Sequence, residues 1–262
     1  MSIDVFEEIV RLRKERVPAA LATVVSAKGS TPAKMTTRML VTAMGRVCGT
    51  VGGGCVEADV IRAARDVIDT GRPRTLSFKL VGEEAERTGI ACGGIVDVMV
   101  EPLEDPRVVI VGAGHVGQAV ARLATDVGLQ VTVVDDRPDF ANAERFPAAD
   151  EIIVAELDAL RDAVGVGPRT SILVMTRGHA EDYGVLRWAL TTPAGRIGVL
   201  GSRSKRKRFI DDLRAEGHDT DRIDNVSMPV GLDLGAETVP EIAVSIVAEL
   251  IAHRRGVRPA HA

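Results

Sequence analysis

Aromatic residues are scarce in this chain: one Trp, one Tyr and five Phe among 262 residues. Its core must therefore be built mostly from Val, Ile, Leu and Ala. Cysteine is scarce too. Three cysteines make no disulfide framework, and free thiols fit a reducing cytoplasm. There is no Cys-x-x-Cys, and the five histidines are scattered, so zinc-type ligand spacing is absent. No apolar run approaches the ~20 residues of a membrane span. The stretch Met1-Ser2-Ile3-Asp4-Val5-Phe6-Glu7-Glu8 is acidic and amphipathic, unlike a signal peptide. A net charge of -4, from 33 basic and 37 acidic residues, gives no electrostatic reason to expect nucleic acid or a membrane surface as partner.

What is present sorts into two halves. Apolar positions at helical spacing run through residues 3–16. Ala19–Val25 is a short apolar run that ends in Lys28-Gly29-Ser30-Thr31-Pro32, a strand entering a turn. Arg38–Val41 and Arg46–Val51 flank Ala43-Met44-Gly45 as a hairpin. A helix over Val56–Ile68 follows a triple glycine and closes at Gly71. Leu76–Leu80 and Ile95–Val100 read as strands. Pro102-Leu103-Glu104-Asp105-Pro106 is a turn-rich joint. From Arg107 onward, strands alternate with helical stretches, which implies a parallel sheet. Thr238-Val239-Pro240-Glu241 carries helix-start signals. The expected fold is α/β: an N-terminal mixed α/β domain over 1–104, a Rossmann-like parallel-sheet domain over 107–228, and a C-terminal motif and helix over 229–262. That last helix is apolar enough to require packing, and a return to the N-terminal domain is left open.

The sequence Val108-Val109-Ile110-Val111-Gly112-Ala113-Gly114-His115-Val116-Gly117 meets the context that a phosphate-binding turn requires. Gly112 makes the tight turn, Gly114 lets backbone N–H groups approach a phosphate, and Gly117 lets the helix pack closely on the strand. Asp135 ends the next strand, where an acid often holds a ribose hydroxyl. His115 stands between the glycines as a phosphate donor or a solvated helix-start residue. Cys55, in Gly52-Gly53-Gly54-Cys55, falls near a helix N-terminus that favours the thiolate. Cys92, in Ala91-Cys92-Gly93-Gly94, lies where glycines permit close approach by a ligand. Both also read as small buried hydrophobes, and Cys48, in mid-strand, reads only so. His179 follows a strand end at Met175-Thr176-Arg177-Gly178, on the edge where α/β ligands bind. Arg203, Lys205, Arg206, Lys207 and Arg208 cluster at a helix start, as a solvated face or an anion site. Asp233 and Glu237 are further polar candidates, Glu237 as a helix-start charge.

Taken together, these segments resemble the xanthine dehydrogenase accessory proteins of the XdhC/CoxI type. The similarity runs through Gly29-Ser30-Thr31-Pro32, Gly53-Gly54-Cys55-Val56-Glu57, Ala91-Cys92-Gly93-Gly94 and Gly112-Ala113-Gly114-His115-Val116-Gly117-Gln118. It continues through Val133-Val134-Asp135-Asp136-Arg137, Met175-Thr176-Arg177-Gly178-His179, Leu200-Gly201-Ser202-Arg203 and Pro229–Thr238. Ala33, Thr36-Thr37 and Val51-Gly52 stand where Arg, Gly-Ala and Val-Ser are common in that family.

The resemblance implies a molybdenum-cofactor chaperone without turnover of its own. Such a protein binds molybdopterin or a dinucleotide form, protects it while a cysteine desulfurase supplies the sulfido ligand, and delivers it to a xanthine dehydrogenase-type molybdoenzyme. The expected cofactor-binding residues are Cys55, Cys92, Gly53, Gly54, Gly93, Gly112, Gly114, His115, Gly117, Asp135, His179 and Arg203. Cys55 and Cys92 are candidate contacts to molybdenum or its sulfur, with no separate metal site. A cytoplasmic homodimer is expected, its interface supplied by aliphatic terminal helices. The competing readings are an NAD(P)-dependent oxidoreductase that uses the Rossmann domain and a thiol, and a regulatory module that senses a nucleotide.

Overall fold

In the computed structural model the chain forms two compact units, Met1–Asp105 and Pro106–Ala262. The structure describes residues 4–15, 17–31, 33–80 and 93–257, with Cys55 by its backbone only. Cys92 and Pro32 lie outside the described residues.

The first unit is an antiparallel sheet with a helix on each face. Its strands are β1 (Ala19–Lys28), β2 (Arg38–Thr42), β3 (Gly45–Gly49), β4 (Arg74–Lys79) and β5 (Ile95–Pro102), in the order β3-β2-β1-β5-β4. Side chains alternate across a strand, so β1 and β2 serve both helices. Ala20, Ala22, Val24, Met39 and Val41 meet Val56, Val60, Ala64 and Val67 of α2 (Gly54–Thr70). Ala19, Leu40 and Cys48 meet Leu12 of α1 (Val5–Lys14) on the other face. Cys48 is a free, buried thiol, and burial together with the carboxylates of Glu8 and Asp4 pushes its pKa up. It is a core residue. Helix α2 closes on Gly71 in the left-handed conformation, as its position after the apolar stripe requires. Between β1 and β2, Thr36 adopts φ 67°, a conformation that costs a β-branched residue.

The second unit is a five-stranded parallel sheet of β6 (Arg107–Val111), β7 (Gln130–Asp135), β8 (Glu151–Val154), β9 (Thr170–Val174) and β10 (Arg196–Val199). The strand order is β10-β9-β6-β7-β8. The chain winds outward from β6 in one direction and then returns to its other side, so β6 and β9 bound a topological switch point. Both faces are covered, which explains why the strands read as unbroken apolar runs. Val108 and Ile110 pack with α3 (His115–Asp126) and α8 (Val239–Arg255). Val109 and Val111 face the layer of α4 (Leu160–Ala163), α5 (His179–Leu190), α6 (Arg203–Ala215) and α7 (Thr220–Asp224).

The C-terminal helix has its place in this unit. Ala243, Ile246, Val247 and Leu250 of α8 are buried with Val120 and Ala124 of α3, and Arg254 donates to the Val127 carbonyl at 3.2 Å. The face that α8 buries is committed to the second unit. Glu249 of α8 accepts from Ser227 Oγ and from the Gly231 N–H, each at 2.6 Å. A Cβ on Gly231 would stand 2.4 Å from Ser245 Oγ. The Pro229–Thr238 segment is therefore pinned to α8, and Glu241 in turn accepts from the Glu237 and Thr238 N–H groups at 2.9 Å.

Candidate functional site

In the first unit the three glycine motifs leave the sheet from one end. The register pairs Lys28 with Ile95, Thr23 with Arg38, Met39 with Gly49 and Lys79 with Ile95. The C-terminal ends of β1, β3 and β4 and the N-terminal ends of β2 and β5 thus face the same way. Gly29–Thr31, Gly52–Gly54 and Gly93–Gly94 all depart from that end. Two of the motifs touch: a Cβ on Gly94 would meet Ser30 O at 2.5 Å, and one on Gly29 would meet Gly93 O at 3.0 Å. Gly94 is a glycine because the Gly29–Thr31 turn crosses it. Gly93, with φ 79°, has open space beyond its Cα.

The loop before Cys55 is braced from within. Glu57, one turn into α2, accepts from the Gly53 N–H at 3.2 Å, Thr50 Oγ1 at 2.5 Å and Arg46 at 3.1 Å. Gly52, Gly53 and Gly54 all have positive φ, at 129°, 79° and 58°, so this run of three needs glycine for conformation alone. Helix α2 starts with no side-chain cap, Gly53 being the N-cap. Cys55 is the second residue of that helix, and its side chain, like the whole of Cys92, lies outside the described residues.

In the second unit the candidate residues collect at the C-terminal ends of the parallel strands. Gly112–Gly117 follows β6, Asp135 ends β7, Thr176–His179 follows β9 and Leu200–Arg203 follows β10. Each glycine of the fingerprint has its own reason. A Cβ on Gly112 would fall 2.1 Å from the Met175 carbonyl of the neighbouring strand end, and one on Gly117 would fall 2.2 Å from Gly112 O. These two are required by the fold. A Cβ on Gly114 would meet nothing within 4 Å. Gly114 is the N-cap of α3, which has no side-chain cap and no acid in its first turn. Open approach and unshared N–H groups coincide there. His115 and His179 are the first residues of α3 and α5, and both are exposed.

Asp135 is engaged by groups of its own chain. Its Oδ2 accepts from the Ala113 N–H at 2.7 Å and from Arg137 Nη2 at 3.0 Å, and its Oδ1 from the Arg137 N–H at 3.1 Å and Nε at 2.8 Å. Four donors fill a carboxylate's usual acceptor positions. Burial alone would raise its pKa, but hydrogen bonds from Arg137 and the Ala113 and Arg137 backbones outweigh it and bring the value down to about 2. Arg137 is held in turn by stacking 3.7 Å from the Phe140 ring centroid. Next to it, Asp136 takes two bonds from Arg177, at 3.2 and 2.7 Å. Asp135, Asp136, Arg137 and Arg177 line a cavity of about 100 Å3 together with Leu157, Leu160 and Val185.

The basic cluster divides in two. Lys205 is buried and paired with Asp182, and it also donates to the Leu200 carbonyl at 3.2 Å. Asp182 Oδ1 accepts from the Thr176 N–H at 2.9 Å and from Thr176 Oγ1 at 2.7 Å. This network ties the loops after β9 and β10 together, and neither Asp182 nor Thr176 stands out in the sequence as more than a helix-start acid and a loop hydroxyl. Arg203, by contrast, is 87% exposed and stands 3.4 Å from Asp233. Among the described residues no cluster of three or more His, Cys, Asp and Glu could hold a metal ion.

Comparison with known proteins bears on both units. Residues 12–79 match the XdhC and CoxI family, and residues 108–250 match the XdhC Rossmann domain. The chain belongs to the XdhC/CoxI family. YqeB of Escherichia coli K12 is 34% identical over 95% of this chain, which spans 46% of that protein's length. The molybdenum cofactor insertion chaperone PaoD of E. coli K12 is 22% identical, over 90% of this chain and 83% of its own. The crystal structure of a xanthine dehydrogenase from Bacillus halodurans matches with a TM-score of 0.52 at 25% identity, covering 99% of this chain and 98% of that one. The family match runs into α8, as far as Leu250.

Proposed function

We propose that this XdhC-family chain is a molybdenum-cofactor chaperone that serves a xanthine dehydrogenase-type molybdoenzyme. The observation that carries the reading is the uncapped start of α3, where Gly114 leaves room and the first-turn N–H groups have no side-chain acceptor. A helix N-terminus of this kind suits a phosphate, and the pterin cofactor carries one. Family membership and the name of PaoD point the same way. When bound, the cofactor brings a molybdenum centre whose terminal sulfur a client needs. The chain's part is to hold and shield it. Within the second unit, Gly114 and His115 would meet the phosphate; within the first, Cys55 and Cys92, with Gly53, Gly54 and Gly93 beside them in sequence, are the proposed thiol contacts to a metal or its sulfur. Gly112 and Gly117 shape the loop, and His179 and Arg203 border the same strand ends. A cysteine desulfurase as second partner, cytoplasmic residence and a homodimer belong to the same proposal. Among the described residues, no helix is long and apolar enough to cross a membrane.

The NAD(P)-dependent oxidoreductase reading is not adopted, because a ribose diol needs free acceptors on Asp135 and those positions are taken by Ala113 and Arg137. The test is to purify the chain from cells that make the cofactor and to measure its pterin by fluorescence after oxidation. Carriage of pterin is expected. Cys55→Ala or Cys92→Ala should lower it while far-UV circular dichroism stays unchanged. Pterin-free protein, or saturable NAD(H) binding with hydride transfer, would overturn the chaperone in favour of the enzyme.

A further inference from the structure

Helix α6 carries a charged stripe of which the proposed cofactor site uses only Arg203, at the helix start. Arg203, Arg206, Lys207, Ile210, Asp211 and Arg214 recur at helical spacing and share one face. With Met228 and Pro229 they line an open groove of about 510 Å3. At 1.5 Å per residue the stripe is about 16 Å long, several times the reach of a single phosphate. Its end residues are each near a carboxylate: Arg203 stands 3.4 Å from Asp233 and Arg214 stands 2.8 Å from Asp224. Arg206 and Lys207 in the middle have no ion-pair partner among the described residues. They sit in the first two turns of a helix whose first turn holds no acid. In that first turn the helix dipole disfavours a cation such as Arg206. Folding does not ask for positive charge at these positions.

The groove's chemistry narrows its occupant. Unpaired cations call for carboxylates, and the exposed Pro229 with the half-buried Ile210 beside them call for an apolar side chain, Met228 behind them being part of the core. Nucleic acid is a poor match: the lining has no aromatic ring on which a base could stack, and the chain is acidic overall. Arginines around an apolar centre are the make-up of a protein–protein contact. We propose that this stripe is the docking surface for an acidic segment, studded with apolar residues, on the client molybdoenzyme. The proposal rests on the chaperone reading and assigns docking to Arg206 and Lys207 rather than to the Gly114 loop. Encounter would be steered by charge, so the effect belongs mainly to the association rate.

The experiment uses the full chain and the purified client enzyme, with binding followed by surface plasmon resonance at low and high salt. Wild-type affinity should fall with added salt. Arg206→Glu with Lys207→Glu should weaken binding about tenfold or more at low salt, chiefly through slower association. Arg206→Gln with Lys207→Gln should give a smaller loss, and both variants should keep wild-type circular dichroism and pterin carriage. A client affinity indifferent to salt, or to both double variants, overturns the docking surface and leaves the chaperone reading standing. Equally tight binding of duplex DNA, lost on charge reversal, assigns the stripe to nucleic acid and overturns it as well. Client binding that behaves as expected in a chain that carries no pterin upholds the docking surface and overturns the chaperone reading.

Discussion

Asp135 ends β7 with both carboxylate oxygens occupied by donors of its own chain, and its pKa falls from an ordinary 3.8 to about 2. The folded value lies below the unfolded one. The interaction therefore adds stability in full above the unfolded value and loses it as the pH falls from about 4 to about 2. The difference amounts to about 2 kcal/mol at neutral pH. Asp135→Asn, which cannot ionise, should be less stable than wild type by up to that amount at pH 7, and the gap should close by pH 2. Urea titrations of the two proteins across this range check it, and a gap that stays constant below pH 4 would falsify the assignment. The position of Asp135 was legible from its spacing after the glycines. Its capture by Arg137 was not, because an Arg two residues past a strand end reads equally as a solvated side chain. Gly94 is a similar case: the motif is visible, but the Gly29–Thr31 turn that crosses it is set by β1–β5 pairing between residues far apart in sequence.

At the scale of elements, periodicity was the reliable guide. The apolar runs of β6, β7 and β9, the stripe of α2 and the start signals of α8 all follow from local spacing. What spacing hides is which member of a charged run turns inward. Lys205 sits among Arg203, Arg206, Lys207 and Arg208, yet its side chain is 9% exposed and its partner Asp182 is 5% exposed. The pair lies on different helices, α5 and α6, so no i,i+4 rule could find it. Removing one member leaves the other charged and buried, which costs about 3–5 kcal/mol. Lys205→Met should therefore lower the urea midpoint of the second unit by a large step. Adding Asp182→Asn should recover part of it, since the amide oxygen still accepts from Thr176 while the stranded charge is gone. A double variant no more stable than Lys205→Met alone would show that the pair is not the source of the loss.

Across the whole molecule, each unit closes its own sheet. β1–β5 pair only among themselves, as do β6–β10, and each sheet has helices of its own unit on both faces. The joint is short and tied at both ends: the Leu103 N–H bonds Ala19 O, the Gln130 N–H bonds Pro106 O, and Asp105 pairs with Arg13. A protease finds little free backbone there, so the independence of the units is better tested by expressing them apart. Residues 106–262 made alone should be soluble and should unfold in one cooperative urea transition, because both layers over the parallel sheet are retained. The same fragment cut at residue 236 should fail. Without α8, Val120 and Ala124 of α3 lose the cover of Ala243, Ile246, Val247 and Leu250, each large aliphatic of which contributes about 1.5–3 kcal/mol when fully buried. Aggregation of the shorter fragment beside cooperative unfolding of the longer one is the expected result. A longer fragment that unfolds without cooperativity would mean that the parallel sheet needs the first unit to be stable.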